Sequence, residues 1–280
     1  INQIRSDSGG TVTGRFSYYH PNLQQIPNRS QFAQELRKLF IPDQGHYWLK
    51  ADYSQQEPRL LTHFARLVDQ AGSREVQEAY NKKDLDFHQQ TAEMAGVERR
   101  LAKTIGLGVM YGMGYNKLAR ELDLDPREAK AMLQDFHTKV PFMKGMLEIV
   151  MNRANNKGVI RTLLGRKCRF DLWEPTSWGV HRALPLNQAQ SEYGMAIKRA
   201  GTYKALNRLI QGSAADQTKR AMVNVYDELG IIPHIQVHDE LNCSVKDENE
   251  GKKVKEVMEN CVKLEVPSKV DINVGESWGG

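Results

Sequence analysis

The sequence predicts an α+β protein, in which strands in the first and last thirds flank a largely helical middle third. Residues 47–52 and 235–245 alternate apolar and polar side chains with the period of two that is typical of strands. Between them, the apolar residues of the segment 93–118 recur at intervals of three and four, as on one face of a helix. Three polar residues interrupt the second strand-like segment, which predicts an antiparallel hairpin.

The composition is that of an ordinary globular protein and excludes several other classes. The 280 residues have a mass of 31.9 kDa, near the upper limit for one hydrophobic core, so we expect two or three subdomains. With 40% hydrophobic and 26% charged residues, the chain is neither a disordered nor a collagen-like sequence. No run approaches the roughly 18 uncharged apolar residues of a membrane span, so we expect no membrane association.

The cysteines indicate the redox compartment of the protein, and the first residues indicate how the chain relates to a longer protein. Cys168, Cys243 and Cys261 are far apart and never in C-x-x-C spacing, so neither a disulfide framework nor a zinc site is expected. A reducing compartment fits this pattern best. The chain begins with Ile1, and residues 1–13 resemble a linker, so we expect a fragment of a longer protein.

The charge distribution permits a polyanionic partner. Thirty-nine Lys and Arg against 34 Asp and Glu leave a formal net charge of +5 and a pI of about 9.0. Residues 157–169 contain five basic residues and no acidic ones, and they are predicted to form a hairpin around Leu164-Gly165. A solvated basic edge is the alternative interpretation, since Lys and Arg also protect the edges of sheets.

Helix patterns and end signals predict the remaining elements. We expect a helix over residues 57–70, after the first strand. Asp125 is a good helix start, because this N-cap carboxylate is followed by Pro in the first turn and by Glu128 three residues after the cap. Gly158 is a natural stop for the helical stretch that starts there. A further helix is predicted over residues 207–229, before the hairpin.

Two acidic positions stand where predicted strands end: Asp52, and the pair Asp239 and Glu240 at the hairpin tip. A strand end holds a carboxylate rigidly and leaves its oxygens open, which suits a hard cation such as magnesium. Carboxylates from two strands can hold two ions about 3.5–4 Å apart and clamp the attacking and leaving oxygens of one displacement. Acidic residues are also common in turns for hydrogen-bonding reasons alone, and spacing does not decide between these hypotheses.

One predicted helix carries four candidate ligand-binding residues at intervals of four: Arg99, Lys103, Leu107 and Tyr111. This spacing puts them on one slowly drifting face. Cations in one half and an aromatic in the other fit a nucleoside triphosphate, with Arg and Lys on the phosphates and the sugar and base near the other two. A solvated helix face is the alternative.

Neighbouring residues extend this hypothesis. His88 could donate to a phosphate, although a lone His is more often a structural hydrogen-bonding residue. Gly106, Gly108 and Gly112 are expected to let a bulky substrate approach the helix closely, because glycine has no side chain.

Three motifs in a fixed order carry a resemblance to a known family. They are Asp52-Tyr53-Ser54-Gln55-Gln56-Glu57-Pro58-Arg59, Arg99-x3-Lys103-x7-Tyr111-Gly112, and His238-Asp239-Glu240. These resemble, in turn, the first palm motif DYSQ-x-E-x-R, the fingers helix and the second palm motif of family A DNA polymerases. Segments 13–17, 21–29 and 211–216 are also similar to family segments, so the resemblance runs from about residue 11 to the C-terminus.

The resemblance implies an antiparallel palm sheet with a largely helical fingers subdomain. The implied boundaries are 1–40 for the end of the thumb and entry to the palm, 41–85 for the first part of the palm, 86–200 for the fingers and 201–280 for the second part of the palm. The implied activity is that of a DNA-directed DNA polymerase, a nucleotidyltransferase that adds deoxynucleotides to a primer 3′-end and releases pyrophosphate.

The resemblance also implies residue roles. Two Mg²⁺ ions are bound by Asp52, Asp239 and the backbone carbonyl of Tyr53, with Glu240 in a supporting role. Lys103 meets the triphosphate and is a candidate general acid for the leaving pyrophosphate. The implied nucleotide-binding residues are Arg29, Gln55, Glu57, His88, Arg99, Lys103, Leu107 and Tyr111, of which Glu57 is the sugar gate that crowds a ribose 2′-hydroxyl. The implied primer-template residues are Arg15, Asn22, Gln24, Asn207, Gln211 and His238.

Five positions depart from the family pattern, and none removes a metal ligand. Leu107 stands where Phe or Tyr is usual, so we expect altered speed or sugar discrimination. Gln56 and Pro58 stand where apolar residues are usual. Gly106 stands where Asn is usual, and Tyr203 where a basic residue often contacts DNA.

The implied partners are primer-template DNA and dNTPs, and a processivity factor is a further candidate. We expect a monomer in the cytoplasm of a bacterial or phage-infected cell. Two rival functions stay open. A single-subunit RNA polymerase is disfavoured by Glu57 at the sugar gate. A catalytically silent DNA-binding module is disfavoured by the intact set of Asp52, Asp239 and Lys103.

Overall fold

The computed structural model describes residues 1–3, 9–27, 30–82, 85–177 and 179–280. Its helices are α1 (Gln31–Arg37), α2 (Gln56–Leu67), α3 (Ser73–Lys82), α4 (Phe87–Ala95), α5 (Arg99–Met110), α6 (Tyr115–Leu122), α7 (Pro126–Lys139), α8 (Pro141–Lys157), α9 (Leu186–Tyr193), α10 (Ala205–Leu229) and α11 (Glu248–Asn260). Its strands are β1 (Tyr47–Tyr53), β2 (Val159–Arg161), β3 (Lys167–Arg169), β4 (Leu172–Pro175), β5 (Leu184–Pro185), β6 (Ile197–Arg199), β7 (Ile235–Val237), β8 (Glu240–Val245) and β9 (Val270–Gly275). The α+β class is therefore confirmed. No helix in the described ranges is long and apolar enough to cross a membrane.

The chain divides into two units, which we name by their content. The sheet unit consists of residues 1–60 and 211–280, and the helical unit consists of residues 61–210. The subdomain boundaries implied by the family resemblance, including those at 86 and 200, remain predictions.

The sheet unit contains a four-stranded antiparallel sheet in the order β7-β8-β1-β9. The strand predicted over residues 47–52 is β1, which lies between β8 and β9. The predicted hairpin is also confirmed, although Glu240 is the first residue of β8 rather than part of the turn. Neither β9 nor α11 was predicted from the sequence.

Strand alternation gives this sheet one apolar and one mixed face. Leu49 and Ala51 are fully buried, and they form one core cluster with Val225 of α10 and Val254 of α11. Burying one Leu or Val side chain stabilises the folded state by about 1.5–3 kcal/mol. This cluster therefore fixes β1 against the two helices. The alternating residues Trp48, Lys50 and Asp52 point to the other face, and Asp52 lies nearest the end of β1.

The predicted helix signals in the helical unit are confirmed. The Asp125 carboxylate accepts the N–H of Arg127 at 2.7 Å, and the Glu128 carboxylate accepts the N–H of Asp125 at 3.2 Å, which completes a capping box. Gly158 caps α8 with φ of +66°, a conformation that glycine adopts without strain. The stretch from Asp125 to Gly158 contains two helices rather than one. Helix α7 ends at Lys139, and Pro141 begins α8.

The basic segment forms the predicted hairpin. Val159 of β2 pairs with Arg169 of β3, and the N–H of Thr162 donates to the carbonyl of Arg166 at 3.0 Å. The basic residues at 161, 167 and 169 are exposed. The hairpin geometry leaves open both interpretations of its charge, a solvated edge or a polyanion contact.

Candidate active site

Carboxylates lie side by side across one end of the four-stranded sheet. Asp52 of β1 pairs with Glu240 of β8 on one side and with Asp271 of β9 on the other. Directly opposed residues on neighbouring strands point to the same face, with Cβ atoms about 4.5–5.5 Å apart. Asp239 precedes Glu240 in the turn, and its carbonyl accepts the N–H of Tyr53 at 3.3 Å. We call Asp52, Asp239, Glu240 and Asp271 the carboxylate cluster.

This cluster concentrates negative charge. Although part of Asp52 is exposed to solvent, desolvation of its carboxyl group and the charges of the other three carboxylates raise the pKa of Asp52 to about 7. Burial also raises the pKa of Asp239, against a backbone hydrogen bond and the nearby Arg15, which lower it. A cation bound between such groups would offset their mutual repulsion.

Glu240 is oriented by neutral donors. One carboxylate oxygen, Oε1, accepts from the Asn242 amide at 2.6 Å and from the Trp278 indole N–H at 3.1 Å. Asn242 in turn accepts the indole N–H of Trp48 at 2.9 Å, and it is fully buried. These bonds restrain the orientation of the Glu240 carboxylate on the strand next to Asp52.

The predicted metal ligands are the Asp52 and Asp239 carboxylates and the Tyr53 carbonyl, and oxygen donors of this kind are chemically suited to magnesium. Mg²⁺ in enzymes is usually bound by one or two carboxylates and completes its shell with water and substrate phosphates. Among the described residues, no group of three or more His, Cys, Asp and Glu side chains is arranged as a metal site by itself. The fit therefore depends on oxygens that a substrate would add.

A strained turn connects β1 to α2. Gln55 has φ of +54°, a left-handed conformation that costs a non-glycine residue about 1–2 kcal/mol. The buried Arg59 guanidinium donates to the Ser54 carbonyl at 2.9 Å and to the Pro267 carbonyl at 2.6 Å, which holds the turn from α2. Glu57, in the first turn of α2, is the first residue after this turn whose charge acts on the carboxylate cluster.

Glu57 forms an ion pair with Arg15. The Arg15 Nη2 lies 2.5 Å from the Glu57 Oε1, and both side chains are largely buried. Arg15 lowers and Glu57 raises the pKa of Asp239, so both charges act on the carboxylate cluster. The predicted sugar gate and a predicted primer-template residue therefore lie together, next to the predicted metal ligands.

Three predicted primer-template residues lie around the tip of the β7-β8 hairpin. His238 has φ of +55° at the first position of the two-residue turn, where glycine is usual, and its carbonyl accepts from the Gln236 amide. The Gln24 amide lies 3.4 Å from the Gln236 Oε1, and the Asn22 carboxamide oxygen accepts the N–H of Gln24 at 3.1 Å. Sequence analysis did not predict that Gln236 connects these residues. The available signal was a polar residue inside a predicted strand, and the structure shows that this residue is buried.

In the helical unit, α5 presents the predicted ligand-binding face. Arg99 and Lys103 are exposed, Leu107 is half-buried and Tyr111 is 40% exposed, while Ile105 is fully buried on the opposite side. The shared face is confirmed, although α5 ends at Met110 and Tyr111 is its C-cap.

A carboxylate missed by sequence analysis organises the cationic end of this face. The Asp86 Oδ1 caps α4 by accepting the N–H of His88 at 3.0 Å, and its Oδ2 accepts from the Arg99 guanidinium at 2.7 Å. Burial opposes ionisation of Asp86, but the hydrogen bonds and charge of Arg99 outweigh it and lower the pKa of Asp86. Burial and the charges of Lys103 and Arg99 lower the pKa of His88, against the opposing effect of Asp86. Its Nδ1 is buried and has no hydrogen-bond partner among the residues that the structure describes. The available signal was the residue type, because Asp is a favoured helix N-cap.

At two of the three glycines proposed to admit a substrate, Gly108 and Gly112, the space where a side chain would lie is filled by the protein itself. A Cβ at Gly108 would lie 1.9 Å from the Met113 Cε, and one at Gly112 would lie 2.5 Å from the Tyr203 carbonyl oxygen. Gly106 is buried and faces Met143. Gly108 and Gly112 therefore allow close contacts within the helical unit, and close approach of a substrate to this segment remains a prediction.

The other predicted residues are spread over α10 and the turn before it. Asn207 and Gln211 lie one turn apart on α10, and both are half-buried. Tyr203 is exposed, with the Lys204 Nζ 5.3 Å from its ring centroid. Arg29 lies outside the described residues.

Comparison with known proteins identifies the family. The model of DNA polymerase family A matches residues 4–280, so the chain belongs to DNA polymerase family A. A DNA-directed DNA polymerase of Pseudomonas phage M6 is 38% identical over 97% of this chain and 44% of its own length. The thermostable DNA polymerase I of Thermus aquaticus is 34% identical over 98% of this chain and 32% of its own length. The chain thus spans less than half the length of these relatives.

A solved structure is also similar. It is described as the POL domain of Pol1 from M. smegmatis in complex with DNA primer-template and dNTP, and it matches with a TM-score of 0.79 and 32% identity. The match covers 96% of this chain and 46% of that one.

Proposed function

We propose that this chain is the catalytic region of a DNA-directed DNA polymerase, which adds deoxynucleotides to a primer 3′-end and releases pyrophosphate. The observation that carries the proposal is the carboxylate cluster in a member of DNA polymerase family A, with the pKa of Asp52 raised to about 7. Groups with strongly shifted pKa values in a cleft are candidate functional sites.

In this proposal, Asp52, Asp239 and the Tyr53 carbonyl hold two Mg²⁺ ions. The ions, when bound, lower the pKa of the primer 3′-hydroxyl and neutralise charge on the leaving pyrophosphate. The protein contributes the fixed geometry of two strand ends and the orientation of Glu240 by its two donors.

The exposed face of α5 binds the nucleotide. Lys103 and Arg99 meet the triphosphate, and Lys103 is the candidate general acid for pyrophosphate. His88 is half-buried beside both cations, so it is predominantly neutral at pH 7 and donates a hydrogen bond rather than a charge. Leu107 and Tyr111 contact the sugar and base, while Glu57 excludes a ribose 2′-hydroxyl. Positioning and electrostatics would provide most of the rate.

The duplex contacts are assigned to polar side chains that bond acceptors common to all base pairs: Arg15, Asn22, Gln24, Asn207, Gln211 and His238. The similar M. smegmatis domain was solved with DNA primer-template and dNTP, which supports these partners. A monomer and a processivity factor remain predictions, as do Arg29 and Gln55 as nucleotide contacts.

Primer extension on a labelled primer-template with Mg²⁺ tests the proposal. The wild-type chain and its Asp239→Asn variant are each given dNTPs or NTPs. We expect template-dependent extension with dNTPs by the wild type only, while the variant binds DNA within a few-fold of wild type, because it loses a metal ligand and not a duplex contact.

Asp271→Asn is the matched control. The Asp271→Asn substitution removes a charge from the carboxylate cluster but none of the proposed metal ligands. The variant should therefore still extend the primer. Preferential use of NTPs would favour an RNA polymerase instead. Equal loss of extension in both variants would contradict the assignment of Asp239 as a specific ligand.

A further inference from the structure

Gln56, the first residue of α2, is a buried polar residue directly before the proposed sugar gate Glu57. It is 3% exposed, and its side-chain Nε2 lies 3.2 Å from the Gln217 Oε1, 3.2 Å from the Thr218 hydroxyl and 3.3 Å from the Ala214 carbonyl oxygen. All three partners belong to α10. Since a backbone carbonyl can only accept, the Gln56 amide must present its nitrogen to α10.

The hydrogen bonds continue from Gln217 to the loop before β9. Gln217 is 1% exposed, and its Nε2 donates to the Ser268 hydroxyl at 2.8 Å. The next residue, Lys269, accepts the N–H of Ser54 at 2.8 Å through its carbonyl. A closed ring therefore runs from Ser54 along the chain to Gln56, across to Gln217 and back through residues 268–269.

This ring encloses the strained residue of the turn. Gln55 has φ of +54° and is the one residue between Ser54 and Gln56. An apolar side chain at position 56 could fill the same space, but apolar contacts are non-directional, whereas the amide bonds fix one rotational setting of the first turn of α2.

We propose that Gln56 is a positioning residue for sugar selection, because the Gln56-Gln217-Ser268 network sets where the Glu57 carboxylate lies. This rests on the proposed polymerase function and on Glu57 as its sugar gate. The Glu57 head is held by Arg15 at 2.5 Å, so the network fixes the gate at its backbone while Arg15 fixes it at its tip. A carboxylate that excludes a single hydroxyl group must be positioned to within about 1 Å. The hydrogen-bond network and the Arg15 ion pair together restrain the Glu57 carboxylate in this way.

Three variants test the network: Gln56→Leu, Gln217→Leu and the double variant. Leu keeps the volume of Gln but removes the donor or acceptor. The double variant removes both partners, so it should recover part of the stability that each single variant loses. Ser73→Ala is the control, because Ser73 is fully buried and hydrogen-bonded to the Gln70 carbonyl, far in sequence from every proposed site residue.

The readout is the ratio of kcat/KM for a dNTP to that for the matching NTP, beside the melting temperature. We expect each single variant to lower this ratio by roughly tenfold, mainly through faster NTP use, and the double variant to keep the low ratio while its melting temperature partly recovers. Ser73→Ala should lower the melting temperature and leave the ratio unchanged. An unchanged ratio in Gln56→Leu, or an equal fall in Ser73→Ala, would overturn the proposal.

Hydrogen exchange separates this result from failure of the polymerase function itself. In the free protein, amides of residues 54–60 should exchange faster in Gln56→Leu than in wild type, while those of β1 up to Ala51 should not. If the wild type extends no primer, the polymerase function is wrong for this chain. If it extends primers but exchange at residues 54–60 is unchanged in Gln56→Leu, the positioning role is wrong.

Discussion

The Arg15 guanidinium lies 2.5 Å from the Glu57 carboxylate, so two residues with proposed roles toward different ligands form an ion pair with each other. Arg15 is assigned to the primer-template and Glu57 to the sugar of the incoming nucleotide. A duplex that attracts Arg15 would weaken the ion pair and change the freedom of the gate. We therefore expect binding of the duplex to change how strongly the chain selects the sugar of the nucleotide.

Glu57→Ala should raise NTP incorporation, because it removes the bulk that crowds a 2′-hydroxyl. Arg15→Ala should raise it less and should also weaken primer-template binding, since the gate keeps its bulk but loses its partner. A double-mutant cycle on the dNTP-to-NTP ratio should give a coupling energy of about 1 kcal/mol. Additive effects of the two changes would mean that the ion pair does not hold the gate.

Asp52→Asn should raise the melting temperature of the metal-free protein at pH 8. Because the folded-state pKa of Asp52 is raised to about 7 from 3.8, its contribution to stability is fully present below about pH 4 and is lost as the pH rises through 7. The advantage of the neutral Asn should therefore shrink between pH 8 and pH 5. Melting curves in EDTA measure this, and a variant less stable than wild type at pH 8 would contradict the crowding of carboxylates.

Mg²⁺ should make the wild type, rather than Asp52→Asn, the protein with the higher melting temperature. A cation that binds only the folded state stabilises it by mass action, so millimolar Mg²⁺ should raise the melting temperature of the wild type at pH 8. Asp52→Asn should respond much less, because it lacks one proposed ligand. Equal shifts in both proteins would place the bound ions elsewhere.

Asp86→Asn should free Arg99 without unfolding α4. Asn is as good an N-cap as Asp, but it no longer pairs with the Arg99 guanidinium through a charged oxygen. We expect a dNTP KM roughly two- to fivefold lower with little change in kcat, since the phosphates no longer compete with a carboxylate. Asp86→Ala should instead lose about 1 kcal/mol of stability with the cap. A raised KM in Asp86→Asn would show that the pair orients Arg99 toward the nucleotide.

Gly112→Ala and Gly106→Ala should change stability in opposite directions. At Gly112, φ is +72° and a Cβ would lie 2.5 Å from the Tyr203 carbonyl oxygen, so Ala should cost about 1–3 kcal/mol. At Gly106, inside α5, the nearest atom is the Met143 Cε at 3.7 Å, so Ala should stabilise by about 0.5–1 kcal/mol. Urea unfolding measures both, and destabilisation by Gly106→Ala would mean that this contact has no room.

Local patterns predicted the parts of the site that depend on short stretches of chain. Asp52 follows an alternating strand and Asp239 lies in a tight hairpin, so both signals were complete within about ten residues. Asp271 was missed because its position next to Asp52 depends on pairing between strands far apart in sequence. The close packing of Gly112 was missed for the same reason, since Tyr203, which limits the space there, lies far away in the sequence.

The central position of β1, between β8 and β9, has a consequence for synthesis on the ribosome. The helical unit is one continuous stretch and can form as it emerges, whereas β1 must wait for partners encoded near residues 240 and 270. Asp52 is thus translated long before it can meet Glu240 and Asp271. A nascent or prematurely terminated chain would carry the helical unit but no assembled carboxylate cluster, so topology alone delays assembly of the proposed metal site until the last strand has been made.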